Sequence, residues 1–153
     1  MGSSVVVGLS VLVAVLAIAT GYGLWRRRQE GRLRPVPEAG APAQPTAAAL
    51  AGLGVRADGR VTLVQFSSAF CAPCRATRRV LADVAATVDG VDHVEVDAES
   101  HLDAVRALGI WKTPTTLVVD ARGRVVHRAG GVPAKAKVIA AVAPLLPEPS
   151  RQR

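Results

Sequence analysis

Residues 60–88 read RVTLVQFSSAFCAPCRATRRVLADVAATV, and this stretch decides the fold. Its first third, Arg60 to Ser67, is apolar and β-branched, the signature of a buried strand. From Cys71 to Val88 the period changes. Ala76, Val80, Leu81, Val84, Ala85 and Val88 recur at helical spacing on one face, with Arg75, Arg78, Arg79 and Asp83 largely on the other. Between the two periods sits Cys71-Ala72-Pro73-Cys74, which holds both cysteines of the chain. Random placement would put two cysteines three apart only about 1% of the time, so the spacing carries information.

The position of the pair carries more. A helix start presents unpaired N–H groups and the positive end of the helix dipole, and both stabilise a thiolate. Arg75 and, one turn on, Arg78 add positive charge. Cys71 is therefore expected to have a depressed pKa, in the range of about 3.5 to 7.5 found in such motifs. Pro73 stiffens the turn and keeps the sulfurs within bonding range. The chemistry that follows is thiol-disulfide exchange. The Cys71 thiolate attacks a disulfide, and Cys74 resolves the mixed disulfide. A static structural disulfide, half of a zinc site shared between chains, and inert thiols are the alternatives. His93, His101 and His127 show no ligand spacing to the cysteines, and no metal is expected.

Outward from this core, Asp92 to Asp97 (DHVEVD) alternates as a second strand. Ser100 with Asp103 reads as a capping box for a short helix through Leu102, Val105 and Leu108, ended by Gly109. Thr115–Asp120 and Arg124–Arg128, joined by Ala121-Arg122-Gly123, read as a hairpin that Gly130-Gly131 break. Pro133 is expected to start a last helix and Pro144 to end it. Ala47–Leu53 reads as a short helix. The order predicts an α/β fold, with a mixed sheet sandwiched by helices.

The 153 residues suffice for one domain and an appendage. Half of them are hydrophobic, which opposes wholesale disorder. Two cysteines can neither staple a disulfide miniprotein nor supply four zinc ligands. The net charge of +7 is spread along the chain; residues 47–147 mix 12 basic with 9 acidic side chains and hold only Phe66, Phe70 and Trp111 as aromatics. That is not a nucleic-acid footprint.

The appendage is N-terminal. Val5 to Trp25 is uncharged and 21 residues long. As a helix it would measure about 31 Å, against a hydrocarbon core of about 30 Å. Tyr22 and Trp25 lie at its end, where aromatic rings favour the membrane boundary. A cleaved signal peptide ending at Ala17-Ile18-Ala19 is the alternative, opposed by the run's length and by the lack of a preceding basic residue. Residues 1–28 are thus read as a transmembrane anchor with a basic flank. Arg26 to Arg28 should remain cytoplasmic and can touch anionic headgroups. This makes the protein a single-pass membrane protein with its domain on the cytoplasmic side. Residues 29–46, with Pro35, Pro37, Pro42 and Pro45, read as an extended tether reaching roughly 50 Å. Residues 47–147 form the domain, and 148–153 a tail.

Taken in order and spacing, Val64-Gln65-Phe66, Phe70-Cys71-Ala72-Pro73-Cys74, Val94 to Asp97, Lys112-Thr113-Pro114-Thr115 and Gly130-Gly131 resemble the thioredoxin family over about residues 50–146. Arg-over-Lys, Ala-rich usage is what a high-GC bacterium gives. The resemblance implies a thioredoxin fold and a thiol-disulfide oxidoreductase that reduces protein disulfides, with no bound cofactor. It also implies a cis Thr113–Pro114 bond beside the cysteines, and a substrate groove formed by Phe70, Ala72, Pro73, Thr113 and Pro114. Trp111 either lines that groove or packs into the domain. The implied partners are disulfide-containing proteins and a thioredoxin reductase, with the domain monomeric. Phe70 replaces the family's usual Trp, Ala72-Pro73 its Gly-Pro, Thr113 its common Ile, and His93 a common Lys. Gln65 stands where the family has a buried Asp that takes the proton from the second cysteine, and an amide cannot be that base. Resolution would then be slow, or would use water or a substrate group. Two other functions stay open: an extracytoplasmic reductase or oxidase, including one acting on apocytochrome c, and a non-catalytic redox-responsive adaptor.

Overall fold

Alternation along one strand builds both cores of this domain. In the computed structural model, which describes residues 2–36 and 44–146, strand β2 (Val61–Ser67) is buried along its whole length. Successive side chains point to opposite faces. Val64 and Phe66 enter a cluster with Leu50, Val55, Val96, Leu108, Ile110, Leu117 and Val119. Val61 and Leu63 enter a second with Leu81, Val84, Val91, Val118, Val138 and Val142.

The sheet has five strands in the order β1-β5-β4-β2-β3. They are β1 (Arg34–Pro35), β2, β3 (Val91–Asp97), β4 (Thr115–Val119) and β5 (Val125–Gly130). β2 and β3 run parallel, with Gln65 opposite Glu95. β2 with β4 and β4 with β5 are antiparallel, the latter pair with a register shift at Val118/Val119. Helix α2 (Gln44–Gly52) brings Leu50 to the first cluster, and α4 (Leu102–Ala107) leads into Leu108, its C-cap residue, which joins the same cluster. Helices α3 (Ala72–Thr87) and α5 (Lys135–Val142) bring Leu81, Val84, Val138 and Val142 to the second. The expected α/β sandwich is the observed one.

Several local expectations are corrected. Arg34–Pro35 lies in the stretch read as a tether, yet it pairs antiparallel with Arg128 and His127 at the sheet edge. An edge strand is where a proline is tolerated. Residues 37–43 and the tail lie outside the described residues. Helix α2 begins at Gln44 rather than Ala47, because Pro45 fits a first turn that needs no N–H from it. On α3 the buried face is Cys74, Thr77, Leu81 and Val84, and Ala76 is exposed. The Ser100–Asp103 capping box does not form. Ser100 Oγ donates instead to Asp97 Oδ2 at 2.5 Å, Asp103 pairs with Arg106, and His101 is the N-cap. Leu102 is exposed rather than packed. The last helix starts at Lys135, two residues after Pro133, and Pro144 sits in a closing 3-10 turn, Ala143–Leu145.

Residues 1–30 form a compact unit of their own. Its helix α1 (Gly2–Gln29) contains an apolar run, Val6–Arg26, long enough to cross a membrane, with mean hydropathy 2.1. Val7, Leu9, Leu12, Leu16 and Ile18 are all exposed along it. The Tyr22 and Trp25 rings lie 5.8 Å apart near its end.

Candidate active site

The cysteine pair lies where β2 hands over to α3. Cys71 caps the helix, with Pro73 in the first turn, where a missing N–H is not needed. The two cysteines are joined by a disulfide, with Cα atoms 5.1 Å apart. Their exposures differ. Cys71 is partly exposed, whereas Cys74 is 2% exposed. The Cys74 amide donates to Cys71 Sγ at 3.1 Å. A thiolate at Cys71 would keep that donor, together with the helix dipole.

The remaining groove residues converge from other elements. Phe70 is fully exposed before Cys71, and Ala72 and Pro73 are exposed after it. Thr113–Pro114 is cis, as the resemblance implies. Thr113 Oγ1 lies 3.1 Å from Ser68 Oγ, which ties the cis-proline loop to the cysteine loop. Pro114 is buried, and its carbonyl accepts from the Gly131 amide at 2.9 Å. Gly131 adopts φ +88°, a conformation that favours glycine. A Cβ at Gly130 would meet Lys112 Cε at 2.5 Å, so the glycine pair accommodates both the loop amide and the Lys112 stem. Trp111 is 94% exposed, which rules out the packing role considered for it. Arg128 donates to the Gly109 carbonyl at 2.7 Å and to the Leu108 carbonyl, anchoring the loop before Trp111 to β5. Burial there lowers the Arg128 pKa.

Behind Cys74 is a polar chain that the sequence pattern does not reveal. Gln65 is fully buried, and its Nε2 donates to the Cys74 carbonyl at 2.9 Å and to Ser67 Oγ at 2.7 Å. Ser67 Oγ donates onward to Glu95 Oε1 at 2.7 Å. Arg78 closes the chain, with Nη2 2.9 Å from Glu95 Oε1 and Nε 2.5 Å from Oε2. Partial burial of the Glu95 carboxyl favours its proton. The hydrogen bonds from Arg78 and Ser67 and the Arg78 charge outweigh that, and its pKa lies below the ordinary value. The Arg78 charge, which its position one turn on would lend to the cysteines, is instead matched by Glu95. Ser67, Ser68, Ala69, Arg78, Glu95 and Asp97 line a cleft of about 330 Å³ at this point. The one sequence signal for the chain was the i, i+2 spacing of Gln65 and Ser67, which puts both on one face.

A family model, Thioredoxin, matches residues 54–143, more than half of the chain. The chain belongs to the thioredoxin family. It is 30% identical over 83 residues to the thioredoxin of Mycoplasma pneumoniae, covering 54% of this chain and 80% of that protein. Among solved structures it resembles Fasciola hepatica thioredoxin (25% identity, TM-score 0.55, 66% of this chain and 95% of that one). It also resembles reduced Schistosoma mansoni thioredoxin (21% identity, TM-score 0.54, 63% and 90%). Family and geometry together support thiol-disulfide oxidoreductase chemistry at Cys71 and Cys74.

Proposed function

We propose that this protein is a membrane-tethered thiol-disulfide oxidoreductase that reduces disulfides in other proteins. The observation that carries this reading is the asymmetry of the pair, one sulfur reachable and capping a helix, the other buried beneath it. The Cys71 thiolate attacks a substrate sulfur, and the sulfur it displaces leaves as a thiolate that takes a proton from solvent. Cys74 then gives up its proton and attacks Cys71 Sγ. The second substrate thiolate leaves, and Cys71–Cys74 is left oxidised. Two electrons pass from the dithiol to the substrate disulfide, and a reductase of the thioredoxin-reductase class returns them. Phe70, Ala72, Pro73, Thr113 and Pro114 form the groove, with the Thr113 backbone pairing to the substrate chain and Trp111 at its rim. No bound cofactor takes part.

Helix α1 is the anchor, and Arg26 to Arg28 keep the domain on the cytoplasmic side. The domain acts as a monomer. A redox-responsive adaptor is the second reading, favoured by one observation: Gln65 occupies the place of the family's base, and an amide takes no proton.

The test is dithiothreitol-driven reduction of a disulfide-linked model protein by the full-length chain in detergent, with the Cys71–Cys74 potential measured alongside. Turnover above the reagent background, lost in Cys71→Ser, and a potential near −270 mV are expected. Turnover at background supports the adaptor. A potential near −120 mV would reverse the working direction and reopen the extracytoplasmic placement.

A further inference from the structure

Gln65 removes a carboxylate from β2, but the carboxylate has not left the neighbourhood. It stands one strand over, at Glu95, the residue paired in register with Gln65. Ser67 and Gln65 link it to the Cys74 carbonyl through hydrogen bonds of 2.7, 2.7 and 2.9 Å. Arg78, four residues after Cys74 and so on the same face of α3, holds both of its oxygens. We infer that Glu95 is a positioning residue for the cysteine pair, and that the balance of charge between Glu95 and Arg78 sets the redox poise of Cys71–Cys74. The inference rests on the oxidoreductase reading, but its consequence is an equilibrium property of the couple that needs no protein substrate.

The redox poise of the couple follows the stability of its thiolate. Reduction of the couple by a dithiol transfers two electrons and two protons; the reagent's thiols become its disulfide, and Cys71–Cys74 becomes a dithiol. Whatever stabilises a cysteine thiolate stabilises the reduced form and makes the couple more oxidising. With both members present, Arg78 and Glu95 neutralise each other one turn from Cys74. Removing the Glu95 charge leaves the guanidinium uncompensated and favours the thiolate. Removing the Arg78 charge leaves a carboxylate wired to the Cys74 peptide and disfavours it. The other charged or titratable groups at this end are Arg75 on α3, His93 and Asp97 on β3 and Lys112 in the cis-proline loop; none is substituted in these variants, and a buffer above the ordinary histidine pKa keeps His93, which burial holds below that value, neutral throughout.

The experiment equilibrates the full-length chain in detergent with graded dithiothreitol buffers at fixed pH, for wild type, Glu95→Gln, Arg78→Gln and the double variant. Glu95→Gln should move the equilibrium constant about threefold to tenfold toward the dithiol, or about 15–30 mV more oxidising. Arg78→Gln should move it by a similar factor the other way, and the double variant should return to within about twofold of wild type. A purely structural latch gives another pattern, because either single variant breaks the same contact and shifts the constant in the same direction. Shifts of the same sign, or no single shift beyond twofold, overturn the inference. Should Glu95→Gln fail to fold, Arg78→Gln and the double variant carry the same test. Wild-type cycling in these buffers with no turnover of a protein substrate would count against the oxidoreductase reading alone.

Discussion

The two faces of the central sheet are built differently. Under α2 and α4 the buried side chains are mostly apolar, with Phe66 the largest in a cluster with Leu50, Leu108 and Ile110, and with Thr62 and Thr115 as the buried polar residues that β2 and β4 turn to that side. Under α3 and α5 the face starts apolar at Val61 and Leu63 and turns polar toward the cysteines, at Gln65, Thr77 and Thr116. His93 and His127 pair in register with Leu63 and Val118 of that second face. Among the described residues, Gln65 Oε1, Thr77 Oγ1, Thr116 Oγ1, His93 Nε2 and His127 Nδ1 are buried without a protein partner. Orphaned polar atoms cost stability. The unpartnered buried polar atoms thus gather on the face that α3 and α5 cover, where the cysteines lie.

That contrast can be broken first on the apolar face. Phe66→Ala should cost about 3–5 kcal/mol, since a large buried ring leaves a cavity its neighbours fill only partly. Denaturant unfolding would read this loss. The Cys71–Cys74 potential should stay at the wild-type value, because Phe66 points away from the Gln65 chain.

A smaller effect sharpens the polar side. Burial, the largest influence, holds His93 below the ordinary histidine pKa despite the Glu95 charge, with Arg78 pushing the same way as burial. The folded state therefore binds fewer protons at this site than the unfolded chain. Its contribution is fully present above about pH 6.5 and is lost as pH falls below that value toward the folded pKa. Thermal midpoints taken between pH 7.5 and pH 5 should decline, and His93→Gln should remove part of that slope. An unchanged slope would mean that His93 is protonated as easily folded as unfolded.

The same contrast explains what the sequence could reveal. The apolar run Val61–Phe66, the switch to helical period after Cys71, and the CAPC turn are local patterns, and they place strand, helix and cysteines without any tertiary knowledge. The Glu95 chain was not legible. It depends on the parallel register of β2 and β3, which brings together residues 30 positions apart. The edge strand Arg34–Pro35 was hidden for a related reason, since two residues containing a proline carry no period and pair only because β5 offers an open edge. The Ser100–Asp103 box failed because Asp97, three residues before Ser100, competes for the same hydroxyl. Such contests are decided by geometry that spacing does not encode.

If Cys71 attacks protein disulfides and Cys74 resolves them, loss of Cys74 traps the mixed disulfide. The most direct test is a Cys74→Ser variant of the full-length chain, expressed in cells and recovered under acid quench on non-reducing gels. This variant should accumulate mixed disulfides with other proteins, released by dithiothreitol and absent from the Cys71→Ser/Cys74→Ser double variant. Absence of adducts from Cys74→Ser, or the same adducts in the double variant, would contradict that order of attack.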